Sequence, residues 1–212
     1  MGTDITVFAN HSIDFSSNDL KYIADEIKHK LDNSIIANRT ELYNQIRSYY
    51  DWQGYDDTVR NKWHKEIDDW IGNDWECITD YNLYSYTEIC FCGPFNLRIS
   101  FTDKHIQFYD PGCRYHSFFD NEKEHRNEWR KYYYQYISLF GGNFVIYLPD
   151  KGEVASEFTE KIWDYNQDLE IIVRELINKY GLNNTGIDDF PINEDGFMDL
   201  PYYFIDCFDD LK

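Results

Sequence analysis

The spacing of apolar positions changes its period several times along the chain, and each change predicts an element. Residues 4–9 alternate poorly but are rich in β-formers, which predicts a strand. Leu20, Ile23, Ile27 and Leu31 then recur at three- and four-residue intervals, the stripe of an amphipathic helix, with Lys21, Asp25, Lys28 and Asp32 spaced for ion pairs on its outer face. Ser16, Ser17 and Asn18 offer capping oxygens to that helix, and Asp14 suits the positive end of its dipole. A short helix is expected over 41–48. Farther on, Val59, Trp63, Ile67, Trp70 and Ile71 share one helical face.

A β-rich stretch takes over at residues 81–110. Phe95, Leu97, Ile99 and Phe101 alternate with polar positions, and Ile106 and Phe108 continue the pattern. Gly93-Pro94 and Thr102-Asp103-Lys104 punctuate the stretch, predicting a three-stranded antiparallel meander with one buried face. The longest helix follows over 121–140, lined by Trp129, Tyr133, Tyr136, Ile137 and Phe140 and stopped by Gly141-Gly142. "NFVIYLP" reads as a buried strand. Val154, Phe158 and Ile162, and then Leu169, Ile172, Val173, Leu176, Ile177 and Tyr180, return to helical spacing, which Gly181 ends. A final strand is expected over 202–207. The pattern predicts an α+β fold: a mostly antiparallel sheet with the meander at its centre and helices packed mainly on one face.

Length and composition place this pattern in one domain. At 212 residues a single domain over 1–212 is expected, with 183–212 an acidic, aromatic-rich segment packed back on it. That segment has eight acidic residues and only Lys212 as a base, yet Phe190, Phe197, Tyr202, Tyr203, Phe204 and Phe208 give it apolar surface to bury. No run approaches the roughly 18 apolar residues of a membrane span, and the start has no basic and apolar leader. Together with an odd count of five cysteines, this points to the cytoplasm.

Charge narrows the partners. Thirty-nine acidic against twenty basic residues give a net charge of −19. Phosphate-backbone binding needs a positive stripe, so nucleic acid and anionic membranes are disfavoured, whereas a basic protein is favoured. Nineteen tyrosines and six tryptophans supply interface anchors. An acidic protein-binding protein follows, of the immunity or inhibitor kind, with nucleic-acid mimicry as one route to a basic cleft. Candidate binding residues are Trp52 and Trp75, from the Trp-rich acidic segment 51–80, and Asp188, Asp189, Glu194 and Asp195 near the C-terminus.

Two other classes have candidate residues. "VFANHSIDFSSNDL" brings His11, Ser12 and Asp14 together, the residue types of an acyl-transfer triad, although no Gly-x-Ser-x-Gly elbow is present. A hydrolase would draw on His11, Asp14, Asp110, His116 and Asp150, and parallel pairing of the first strand with "NFVIYLP" would put His11 and Asp150 in one cleft. A carbohydrate-binding module would instead expose the indoles of Trp52 and Trp75. Cys90 and Cys92, with Cys113 and His116 beyond them, are the donor types of a zinc site, but the spacing departs from the common knuckle and no cofactor is expected. Lys123, Arg126, Arg130 and Lys131 form a basic cluster that reads as a solvated, salt-bridged helix face.

Overall fold

Strand β1, Ile5–Ala9, is buried at every position, and its poor alternation follows from that: both of its faces are covered. The computed structural model describes residues 5–17, 19–34, 75–79, 86–93, 97–109, 123–149, 154–181 and 203–211. After β1 come helix α1 (Leu20–Asp32), strands β2 (Glu76–Cys77), β3 (Ile89–Cys92), β4 (Arg98–Phe101) and β5 (Ile106–Tyr109), and helix α2 (Lys123–Leu139). Strand β6 (Val145–Pro149), a π-helical turn at Ala155–Thr159, helices α3 (Glu160–Trp163) and α4 (Leu169–Tyr180), and strand β7 (Phe204–Asp206) complete the order.

The seven strands form one sheet in the order β2-β3-β4-β5-β1-β6-β7, every pairing antiparallel. The α+β class and the central meander β3-β4-β5 are therefore present, with Phe91 opposite Ile99 and Ile99 opposite Phe108. Alternate residues serve two separate cores. Ile5, Val7, Ala9, Val145 and Tyr147 join α1 and α2 in one, whereas Phe8, Ile146 and Leu148 join Phe158, Ile162, Ile172 and Leu176 in the other. The two longest helices thus belong to one cluster and α3 and α4 to the second. This covering of both sides revises the expectation of a meander with a single buried face: Ser100 and Gln107, on its polar side, are only 1% and 4% exposed.

Helix ends obey local chemistry. The cap of α1 is Asp19, whose carboxylate accepts the Tyr22 N–H at 3.0 Å. The expected capping serines lie earlier, because Asp14 first turns the loop by accepting the Ser16 N–H, and Ser17 Oγ accepts the Asp19 N–H. Helix α2 ends in a paired motif: Gly142 N–H donates to Ile137 O and Gly141 N–H to Ser138 O. Gly141 has φ of +73°, and a Cβ there would sit 2.1 Å from Ser12 Oγ, so glycine is required twice over. Among the described residues no helix is long and apolar enough to cross a membrane.

Arg130 corrects the reading of a solvated basic face. It is 6% exposed, and its guanidinium holds both Asp206, through Nε at 2.6 Å and Nη2 at 3.0 Å, and Asp210, through Nη1 at 2.8 Å and Nη2 at 2.7 Å. Burial opposes the charge, but the two carboxylates outweigh it and raise the guanidinium pKa, while the hydrogen bond from Arg130 lowers that of Asp210. This contact and the β6–β7 pairing fasten the acidic end of the chain to the sheet. Replacement by Arg130→Met leaves Asp206 buried without a cation and is expected to cost about 3–5 kcal/mol. Adding Asp206→Leu should restore a large part of that loss; urea unfolding of the single and double variants checks both.

Candidate functional site

The loop after β1 carries His11, Ser12 and Asp14, and their groups are engaged in structural hydrogen bonds. His11 Nε2 donates to Thr102 O at 2.8 Å, and Nδ1 accepts the Ile13 N–H at 3.0 Å. Both ring nitrogens are thereby committed, and the network assigns the neutral tautomer with the proton on Nε2. Ser12 Oγ donates to Phe140 O at 3.1 Å, the same carbonyl that accepts the Ser12 N–H at 2.8 Å. Asp14 faces the Ser16 amide instead of the imidazole. No nucleophile–base–carboxylate relay exists among His11, Ser12 and Asp14, and the three form the entrance to α1.

The parallel pairing of the first strand with the Val145–Pro149 strand, on which a shared His11–Asp150 cleft depends, is absent. Strand β6 runs antiparallel to β1, with Ala9 opposite Val145 and Ile5 opposite Pro149. Four residue steps, roughly 14 Å at the usual strand rise, separate the Ala9 end of β1, which leads into His11, from the end where β6 finishes. Asp150, Asp110 and His116 themselves lie outside the described residues.

What the loop meets is a second histidine that the sequence pattern did not single out. Thr102 Oγ1 accepts the amides of Lys104 and His105, each at 3.1 Å, and lies 3.2 Å from His105 Nδ1. His105 is 2% exposed and meets the Phe8 ring edge-on at 5.5 Å. Burial, with a smaller contribution from His11, pushes its pKa down to about 3. Burial also lowers His11, against the Thr102 carbonyl and the charge of Asp103. Both imidazoles are neutral in the fold.

The sign of the linkage follows. Unfolded histidine takes a proton near pH 6.5, so the unfolded chain binds protons first as pH falls. The stability supplied by neutral His105 is complete above about pH 6.5 and drains away towards its folded value near 3, and His11, whose pKa is also lowered, acts in the same direction. Stability is expected to fall between pH 6.5 and 5, by up to about 1.4 kcal/mol per pH unit for His105, with His11 adding in the same direction. His105→Gln should flatten that slope in urea titrations at stepped pH.

Among the described residues, neither the aromatic nor the thiol candidates assemble a ligand site. Trp75 is 5% exposed, packs edge-on against Tyr136 at 5.9 Å, and lies so close to Gly93 that a Cβ there would be 2.4 Å from its ring. It is a core residue, which corrects its assignment as a binding indole; Trp52 lies outside the described residues, as do Asp188, Asp189, Glu194 and Asp195. Cys90 and Cys92 alternate on β3 and project to the same side, but Cys113 and His116 are outside the described residues. Among the described residues no three His, Cys, Asp or Glu side chains are grouped to hold a metal ion. Burial, helped by Glu88, pushes the Cys90 thiol up to about 12, so it stays protonated and a weak nucleophile. At pH 8, iodoacetamide is expected to modify exposed Cys207 well before Cys90, as read by timed peptide mapping.

Among the described residues, exposed large apolar side chains gather at the corner between α3 and α4. Within nine residues, Trp163, Tyr165 and Ile171 are 42%, 71% and 37% exposed. Asp164, Asp168 and Glu170 are interleaved with them. The corner is docked by side chains rather than left loose. Trp163 Nε1 donates to Gln107 Oε1 at 3.0 Å, Tyr86 OH donates to Trp163 O at 2.6 Å, and Asn166, at φ of 45°, donates to Asp103 Oδ1 at 2.6 Å. The last bond adds the β4–β5 turn and its carboxylate to the same surface. In sequence the only signal was the tripeptide Trp163-Asp164-Tyr165, hidden by the helical period around it. Comparison with protein-family models, with curated proteins and with solved structures finds no match for this chain.

Proposed function

We propose that this chain is an acidic protein-binding protein, of the immunity or inhibitor kind, that engages a basic partner through the α3–α4 corner. The observation that carries it is the exposure of Trp163, Tyr165 and Ile171 among carboxylates on a docked corner. Large rigid aromatics are the usual anchors of protein interfaces. The carboxylates around them favour a positive surface and speed its approach.

Internal pairing of the cations supports the same reading. Lys28, Lys104, Arg130, Lys161 and Lys179 are each held against a carboxylate of this chain. With a net charge of −19, what remains outward is predominantly negative.

The test is capture of partners from host lysate at low and high salt by the tagged protein, beside Tyr165→Ser/Ile171→Ser and Asp164→Lys/Glu170→Lys variants. A stoichiometric basic protein that salt releases, and that both variants bind at least ~10-fold more weakly, is the expected result. Equal capture by the variants would move the interface elsewhere. Capture of no basic protein at either salt would overturn the proposal.

A further inference from the structure

A cleft of about 220 Å³ lies on the other core cluster, between the β1–α1 loop, α1 and the end of α2. Ligand pockets of drug-like size begin near 300 Å³, so this one suits a single side chain. Its lining includes Ile23, Ile27 and Phe140, all buried, which give it an apolar floor.

The charges on its rim are not balanced. Tyr22, Glu26 and Lys30 also line it, and their four-residue spacing stacks them along one stripe of α1. Glu26 and Lys30 stand in the order that ordinarily pairs across one helical turn. Lys30 is drawn elsewhere: its ammonium lies 3.4 Å from Leu139 O and 5.6 Å from the Phe140 ring centre, at the negative end of α2. Glu26 is therefore exposed and has no cation partner among the described residues. Asp14, on the loop side, accepts hydrogen bonds from the Ser16 side chain and amide, which hold its pKa below the usual value and keep it an anion. Tyr22, 58% exposed, adds an open ring face beside these two anions.

An apolar floor under two carboxylates and an aromatic face is the environment that fits a cation on an alkyl stem. A guanidinium suits it better than an ammonium, being planar, weakly hydrated and able to stack on a ring while bonding carboxylates. We propose that this cleft binds the side chain of an arginine presented by a basic protein chain, its stem over Ile23, Ile27 and Phe140 and its guanidinium among Asp14, Glu26 and Tyr22. The cleft rests on different helices from the α3–α4 corner, so the two can fail separately.

A defined probe tests this without knowledge of the natural partner. The full-length ¹⁵N-labelled protein is titrated with acetyl-Gly-Arg-Gly-amide and with the same peptide carrying citrulline, a neutral analogue of matching shape. Saturable shifts at the amides of Ser12, Tyr22, Glu26 and Phe140 are expected with arginine. Citrulline should bind at least ~10-fold more weakly, and Glu26→Gln should weaken arginine binding to a similar degree. Because Glu26 is exposed, that variant should keep its unfolding midpoint, which separates lost binding from lost fold. Equal binding of citrulline, shifts that spread over the acidic surface without saturating, or no shifts at all would each overturn the proposal.

Discussion

Everything described in this fold hangs on five residues. Strand β1 is hydrogen-bonded on one side to β5, the last strand of the meander, and on the other to β6, which carries β7. Remove it and the sheet falls into a four-stranded piece and a two-stranded piece, the second too small to hold together in water. Its side chains make the same join in the third dimension, because Val7 belongs to the core of α1 and α2 and Phe8 to that of α3 and α4. Both candidate binding surfaces are placed by this arrangement. The β1–α1 loop reaches the β4–β5 turn from one side through His11, and the α3–α4 corner reaches it from the other through Asn166.

Burial of charge is the second organising device. A chain this acidic gains from every cation that neutralises a carboxylate, yet Arg130 is placed inside, where two charges are costly to desolvate. The geometry offsets that cost: four short contacts satisfy the planar fork, and Asp206 also accepts the Phe208 N–H at 2.9 Å. Phe208, at φ of 56°, is held in a left-handed conformation unusual for a bulky residue, and its ring packs on Tyr134 at 5.4 Å. A strained turn of this kind persists only where surrounding contacts determine it, and here they do.

How much was legible in the sequence depended on whether the deciding partner was nearby. The α1 stripe, the meander and the glycine stop of α2 were readable because period and punctuation are local. The direction of β6 against β1 was not, since nothing in either strand records the order in which distant segments lie. Arg130 resembled a surface residue because its carboxylates stand 76 and 80 positions away. His11 resembled a catalytic base because its acceptor, Thr102 O, is 91 positions away. The exposed corner was missed for another reason: Trp163 ends α3 and Tyr165 follows it, next to helical stripes whose periodicity suggested burial.

The central place of β1 also has a consequence for how the chain reaches this state. Val7 must find Phe108 and Phe8 must find Ile146, separations of roughly 100 and 140 residues. Contacts this distant in sequence slow folding, because the entropy of closing the loop is lost before the pairing compensates for it. At ribosomal speeds of about 5–20 residues per second, β1 waits several seconds for β5 and longer for β6. During that time "ITVFA" is an unpaired, uncharged, β-prone segment, the kind that associates with other chains. Its neighbours in the sheet therefore serve also as its protection, and they arrive late.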